Sequence, residues 1–257
     1  MVRRTTIEDG RAHAAVVEAV DERPVEAADE ERRGRAGAVP VEAAVARSAA
    51  IAYGLLARGL LRPDAGLCAD VRDGSYAGGL ERVLDGEASR ELGRALAAVR
   101  AFGERAASLD VEEARLRLEV EYNRLFVGPG RLLAPPYESY YASQGLSGRG
   151  GRLRTEDELA VRRAYADAGY AMPDEFVDLP DHMALELDFL SLLCADEAEA
   201  WEVGDADGAR ALRAVADEFA QWHPARWFGR CAALVASGAR EGFYPALMRL
   251  ACALVEV

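Results

Sequence analysis

The sequence contains no lysine, so all 31 of its basic residues are arginine. Acidic residues number 44, which leaves a net charge of −13. A protein that binds nucleic acid needs a basic stripe to meet the phosphates, and this balance argues against that class. The negative charge is compatible both with ordinary solubility in a salty cytoplasm and with a positively charged partner.

Cysteine is scarce as well, and no two cysteines form a CxxC pair. The four are Cys68, Cys194, Cys231 and Cys252. We expect them to be small buried hydrophobic residues, not a disulfide framework or a zinc site. No apolar run approaches the roughly 18 residues of a membrane helix. Polar and acidic residues follow Arg3 and Arg4, which argues against an export signal. We therefore expect a cytoplasmic protein without stable membrane insertion.

Strand patterns are missing too: there is no alternating hydrophobicity, no βαβ rhythm and no internal repeat. Hydrophobic residues make up 51% of the chain, and they recur with helical spacing. The sequence therefore predicts an all-α fold, a single helical domain of roughly ten helices over residues 41–257. Residues 1–40 are charged and rich in alanine, and we expect a variable, flexible N-terminal extension with a short helix over Ala14 to Val20.

One stretch organises the chain, the proline turn and helix from Leu179 to Leu190. Asp178 or Asp181 is expected to cap the helix, since Pro180 is tolerated in an opening turn. The helix is apolar on most sides, so we expect it in the middle of the protein. His182 and Glu186 share one face of this helix. Such a polar pair costs free energy unless it is satisfied.

Catalysis at this stretch is one interpretation. Asp181, His182 and Glu186, with His223, have side chains that can bind a metal, which would make the protein a metal-dependent helical hydrolase. However, HExxH is missing, Ser139 lacks the glycines of a nucleophile elbow, and no phosphate loop is present. We therefore expect no bound metal or cofactor. A purely structural alternative for His182 is a hydrogen-bonded histidine that locks the loop to the helix.

Two further stretches combine polar groups with aromatic ones. They are Glu121 to Pro129 (EYNRLFVGP) and Pro135 to Tyr141 (PPYESYY). The second lies in an unusually long loop that continues to Arg154. Its tyrosines fit loop anchoring, since a tyrosine buries its ring and keeps its hydroxyl paired. For Trp222 and Trp227 we expect packing in the core.

Taken in order, these stretches resemble the TorD/DmsD family of cytoplasmic maturation chaperones for molybdoenzymes. The matching text is EYNRLFVGP, then PPYES with Tyr141, then Pro180 to His182 followed by Glu186 to Phe189. The resemblance covers residues 41–257. It implies an all-α, TorD-like fold without enzymatic activity. It also implies binding of the twin-arginine signal peptide and apo form of a molybdopterin-dependent oxidoreductase subunit, with assistance to cofactor insertion and prevention of premature export.

The resemblance places leader binding at the hinge and at the border of a groove beside it. The predicted signal-peptide-binding residues are Pro180, Asp181, His182, Tyr137, Glu138, Ser139, Leu185, Glu186 and Phe189. A twin-arginine leader has two guanidinium groups and then an apolar run, and carboxylates bond guanidinium bidentately. Asp181 and Glu138 are thus expected to meet the arginines.

The sequence leaves alternatives open for the kind of client and for the oligomeric state. A nitrate-reductase-type assembly chaperone, whose client subunit need not carry an exportable leader, is the neighbouring alternative. The chain can be a monomer or a homodimer that exchanges helices through the Gly-rich stretch or the Pro180 hinge.

Overall fold

The computed structural model describes residues 18–19, 39–85, 89–129, 132–144, 151–172 and 178–256. These ranges contain eleven α-helices and confirm the all-α class, with one helix more than the round figure predicted. The helices are α1 Val41–Leu60, α2 Ala65–Asp73, α3 Ser75–Val83, α4 Arg90–Ala107, α5 Val111–Tyr122, α6 Glu138–Ala142, α7 Glu156–Asp167, α8 Met183–Glu202, α9 Ala206–Trp222, α10 Pro224–Gly238 and α11 Phe243–Val255. A π-helical segment, Asn123–Val127, continues α5.

Helix α8 lies at the centre of the bundle, as its apolar sequence predicts. It packs along α1 on one side and along α9 on another. Gly54 of α1 lies against Ser191 of α8, where an added Cβ would come within 3.0 Å of the serine Oγ. The same Oγ donates a hydrogen bond to the Ala50 carbonyl at 2.8 Å. A small residue at position 54 thus lets the two helix backbones approach closely.

Aromatic side chains join the other helices to this centre. Phe243 of α11 packs on Phe102 of α4 and on Tyr76 of α3, with ring centroids 5.1 and 5.7 Å apart. Tyr244 contacts Phe126 at 5.5 Å, edge to face. Because such rings bury large apolar areas, these contacts join α11 to α3, to α4 and to the π-helical segment. Cys68, Cys194 and Cys231 are buried, Cys252 is half-buried and all four are free thiols, as predicted.

Several helix ends follow directly from the sequence. The Asp110 side chain accepts the N–H groups of Glu112 and Glu113 at 2.9 and 3.1 Å and so starts α5. Gly128 and Gly169 have φ values of 97° and 83° and stop the helices before them. This left-handed backbone suits glycine, which has no Cβ to clash.

A minimal sheet lies beside the bundle. Glu18 and Ala19 pair antiparallel with Ala171 and Tyr170. These two residues belong to the segment expected to be a short helix, so that expectation is wrong for them. The rest of that segment, with the other residues before 39, lies outside the described residues. Helix α1 begins at Val41, and the extension over residues 1–40 stays a prediction.

Across the described ranges, no single helix has the length and hydropathy needed to cross a membrane. Helices α1 and α2 reach that length and composition only together, as a pair bent by 117°.

Candidate functional site

His182 caps the central helix. Its Nδ1 accepts the backbone N–H of Ala184 at 3.1 Å, so the ring is neutral and carries its proton on Nε2. The expectation that Asp178 or Asp181 caps this helix is wrong. Burial lowers the pKa of His182 to about 4, although the nearby Asp178 carboxylate opposes the shift. The geometry of His182 therefore agrees with the structural alternative, a hydrogen-bonded histidine that locks the loop to the helix.

Asp181 caps a different helix. Its Oδ2 accepts the N–H of Ser139 at 2.8 Å, and its carbonyl accepts the N–H of Glu138 at 3.0 Å. Met183, two residues after Asp181, donates its N–H to the Pro136 carbonyl at 2.9 Å. These bonds place the five-residue helix α6 against the start of α8. The long loop predicted from Pro135 to Arg154 thus contains a short helix, which depends on residues of the hinge for its N-terminal cap.

Tyr137 connects the same two stretches through its side chain. Its hydroxyl donates to Asp178 Oδ1 at 2.8 Å, and its ring meets the His182 ring edge to face at 5.3 Å. Burial first, and then the Asp178 carboxylate, raise the pKa of Tyr137 and that of Tyr122. The first polar stretch is joined to the second, because Leu125 accepts the N–H of Ala134, the residue before Pro135, at 2.9 Å. The three stretches therefore converge.

The first stretch otherwise holds the turn between α10 and α11. Glu121 Oε1 accepts the N–H groups of Arg240 and Glu241 at 2.6 and 3.3 Å. Arg124 donates to both Glu121 oxygens and, at 2.7 Å, to the Gly238 carbonyl. Burial opposes ionisation of Glu121, but these donors outweigh it and keep its pKa below the usual range. Glu121 and Arg124 thus have a structural role in holding this turn.

Four buried carboxyl groups cluster behind the hinge. They are Glu138 of α6, Glu158 of α7, and Asp181 and Glu186 at the start of α8. Trp227 Nε1 donates to Glu186 Oε2 at 3.1 Å. Two basic groups meet the cluster at its edge: His223 Nδ1 lies 2.9 Å from Glu138 Oε2, and Arg162 donates to Glu158 Oε1 at 3.1 Å. Below, the four carboxyl groups are called the acid cluster.

Electrostatics of the acid cluster follow from its burial. Burial raises the pKa of Glu186 well above the usual range, and the neighbouring Glu138 and Asp181 carboxylates raise it further. The pKa of Asp181 is raised by burial and by Glu158, against its hydrogen bonds with Ser139. Tyr165 borders the same groups and donates its hydroxyl to the Pro180 carbonyl at 2.9 Å. The cluster is therefore rich in acceptors and short of donors, a costly arrangement in a protein interior.

The structure brings the predicted site residues together around this hinge. Tyr137 is half-buried, and the other eight, Pro180, Asp181, His182, Glu138, Ser139, Leu185, Glu186 and Phe189, are buried. Phe189 packs on Tyr165 and Phe219 with centroids 4.6 and 4.7 Å apart. Trp227 lies in the core as predicted, whereas Trp222 is 54% exposed, so the prediction of core packing is wrong for Trp222.

Sequence reasoning missed Glu158 and the carboxylate contact of His223. Glu158 lies three residues after Thr155, which accepts the N–H of Asp157 at 3.3 Å as the cap of α7. That spacing is typical of a capping box, so the sequence offers a local role for the acid and no sign of burial. His223 meets a residue 85 positions earlier, a separation that no local pattern reveals.

The hydrolase alternative requires Asp181, His182 and Glu186 to face one metal. Asp181 Oδ2 and His182 Nδ1 instead accept backbone N–H groups of two different helices. Within the described ranges, no group of three or more His, Cys, Asp or Glu residues has the arrangement of a metal site.

Comparison with known proteins defines the class. A family model described as nitrate reductase delta subunit matches residues 85–233, which is more than half of the chain. The chain belongs to this family, and the resemblance to TorD-type chaperones is confirmed.

Among similar curated proteins are chaperone proteins TorD of Vibrio cholerae serotype O1. The protein of strain M66-2 is 30% identical over 149 residues, which cover 57% of this chain and 63% of the relative. That of strain El Tor Inaba N16961 is 29% identical over 147 residues, or 56% of this chain and 62% of the relative. The match thus spans less than two thirds of the relatives' length.

Proposed function

We propose that this protein is a maturation chaperone for a molybdopterin-dependent oxidoreductase subunit. It binds the twin-arginine leader and the apo form of that subunit in the cytoplasm, assists cofactor insertion and prevents premature export, without catalysing a reaction itself. Membership of the family supports this proposal. The observation that carries it is the acid cluster, in which Asp181 Oδ1 and Glu186 Oε1 are buried without a hydrogen-bond partner among the described residues.

Arginine is the ligand that this cluster suits. Its guanidinium stays charged in proteins and offers five N–H donors in a planar fork, which matches pairs of carboxylate oxygens. Asp181 and Glu138 come from different stretches but lie at one junction, where Glu138 donates its backbone N–H to the Asp181 carbonyl. A leader with two arginines would bring the positive charge that the interior of this acidic chain has in short supply.

Access requires movement, because these side chains are buried. We propose that α6 separates from the start of α8 to admit the leader. Helix α6 is held by the cap from Asp181, by Arg230, which donates to the Tyr141 carbonyl at 2.8 Å, and by the Tyr141 ring stacked on Trp227 at 5.2 Å. A five-residue helix has little stability of its own, so few contacts need to break. Leu185 and Phe189 of α8 are the proposed contacts of the apolar part of the leader.

Titration calorimetry with a leader peptide tests this proposal. The wild-type chain should bind a peptide with the arginine pair and bind its Lys-Lys counterpart more weakly, since ammonium lacks the bidentate fork. Asp181→Ala should weaken binding of the arginine peptide by about tenfold or more, as expected when one partner of a charged hydrogen bond is removed. Asp207→Ala is the matched control, because Asp207 is an exposed acid of α9. Equal affinity of Asp181→Ala and wild type would remove Asp181 from the binding site.

A second candidate function is assembly of a nitrate-reductase-type subunit without an exportable leader. It is favoured by the description of the matched family, nitrate reductase delta subunit. Co-purification with the client subunit, with and without its leader, separates the two candidates. Retention that depends on the leader supports the first, and equal retention supports the second.

The assembly state belongs to the same proposal. We propose a monomer or a helix-exchanged homodimer as the active form, with the exchange at the Gly-rich stretch or at the Pro180 hinge. Light scattering coupled to size exclusion, with and without the leader peptide, measures which one binds.

A further inference from the structure

Glu186 and Glu138 are two buried carboxyl groups of the acid cluster. Glu186 is fully buried and Glu138 is 4% exposed, and the Glu138 carboxyl group raises the pKa of Glu186. Trp227 donates to Glu186 Oε2, whereas Glu186 Oε1 is buried and no donor of the described residues reaches it. Ionised carboxylates are acceptors only, so two of them cannot bond each other. A proton on one of them turns the contact into a hydrogen bond.

The surroundings decide which carboxyl group holds that proton. Glu138 Oε2 faces His223 Nδ1 at 2.9 Å, at the partly exposed junction of α9 and α10. Glu186 faces Glu138 of α6, Asp181 at the hinge, Tyr165 of α7 and the neutral Trp227 of α10. The cation of α7, Arg162, is bonded to Glu158 and has a mostly exposed side chain. Glu186 thus has acidic neighbours and no bonded cation in the described residues, so it is the protonated member of the pair.

We propose that Glu186 carries a proton shared with Glu138 in the free chaperone, and that a guanidinium of the bound leader displaces it. This inference rests on the proposed function, because it assigns a chemical consequence to leader binding at the same site. The O–H bond of Glu186 breaks, the proton passes to the buffer, and the carboxylate formed accepts N–H donors of the incoming arginine. Trp227 keeps its bond to Oε2 throughout.

Proton displacement predicts a specific dependence of affinity on pH. A ligand that binds only the ionised form of a group competes with protons, so its affinity rises about tenfold per pH unit until that group ionises unaided. His182 is neutral across this range, since burial lowers its pKa to about 4. A measurement at pH 7.5 and above therefore isolates Glu186.

Calorimetry of the full-length chain with the twin-arginine peptide in phosphate and in Tris at pH 7.5 counts the protons, because the two buffers differ in ionisation enthalpy. We expect release of about one proton per peptide bound by wild type. Glu186→Gln should release none and should bind with an affinity that no longer rises with pH. Asp207→Asn, on the exposed face of α9, is the control and should behave as wild type.

Infrared spectroscopy locates the proton without any peptide. Free wild type at pH 7.5 should show the C=O band of a protonated carboxyl group, Glu186→Gln should lack it, and peptide should bleach it. If the band is missing in free wild type, the inference is wrong whatever the peptide does. If the band is present and the peptide binds without proton release, displacement is wrong and the proposed function stands. If the band is present and the peptide does not bind, the proposed function fails and displacement fails with it.

Discussion

The imidazole of His182 accepts the N–H of Ala184 through Nδ1 at 3.1 Å, so a buried histidine occupies the N-cap position of the central helix. Side-chain oxygens usually fill this position. The choice of histidine makes the cap sensitive to acid, because a protonated ring has no acceptor at Nδ1.

Protonation of His182 should therefore destabilise the fold as the pH falls. Its pKa is about 4 in the folded chain and about 6.5 when unfolded. The unfolded state binds more protons between these values, so the stability contributed by this group is present above pH about 6.5 and declines to pH about 4. The loss is about 3 kcal/mol. Urea unfolding at several pH values measures it, and His182→Asn, which keeps a capping acceptor, should show a flatter profile. Equal slopes in both proteins would contradict the prediction.

Glu186 should act in the opposite sense. Its pKa is raised above the ordinary value near 4.5, so its contribution to stability is fully present below that value and is lost as the pH rises. Glu186→Gln keeps an acceptor for Trp227 and supplies an amide donor to Glu138 without ionising. We expect the stability of this variant, relative to wild type, to increase from pH 5 to pH 8 in urea unfolding. A constant difference between the two proteins would show that Glu186 is ionised in the fold.

Arg124 should matter more than other arginines of its region. Arg124→Ala removes the bonds to the Gly238 carbonyl and to Glu121, a buried carboxylate that also holds the Arg240 amide. We expect a loss of about 2 kcal/mol in the free energy of unfolding, since one member of a buried charged pair is deleted. Arg117→Ala is the control, because its bond to Glu113 is exposed and should contribute less than about 1 kcal/mol. Similar losses in the free energy of unfolding for both variants would show that Arg124 has no special role in holding the turn between α10 and α11.

The cap from Asp181 should control the opening of α6. Asp181→Ala deletes the acceptor of the Ser139 N–H, and a lost cap costs about 1 kcal/mol. Hydrogen exchange at the α6 amides should therefore accelerate roughly fivefold if local opening governs it. Amides in the middle of α9 serve as the internal control and should keep their rates. Uniform acceleration across the chain would mean that the variant is destabilised globally and that α6 does not open by itself.

Sequence reasoning predicted the parts of this structure that local patterns encode. The apolar faces of α8, the cap at Asp110 and the stop at Gly169 follow from side chains within a turn or two of each other. It failed where a tertiary contact chose the partner. Asp181 could cap the helix beside it, but it bonds Ser139, 42 residues away. The burial of Glu158 depends in the same way on helices that pack over it, and the sequence around it is that of an exposed helix start.

The predicted leader-binding residues include both a success and a failure of sequence reasoning. Their convergence on one hinge agrees with the grouping inferred from the family resemblance. The burial of Glu138 was not foreseen, because an acid is usually exposed, whereas Glu186 was expected on a central helix. Pairing with Trp227 and His223, which come from α10 and the turn before it, is what accommodates them inside.

Because α6 depends on Asp181, the order of synthesis determines when the contacts around the hinge can form. Residues 138–142 leave the ribosome 42 positions ahead of their capping atom, and the tryptophan that holds Glu186 follows 41 positions after that glutamate. A nascent chain that ends before Asp181 lacks the cap of α6, and one that ends before Trp227 lacks the donor to Glu186. The contacts of the hinge are therefore complete only after translation has passed Trp227.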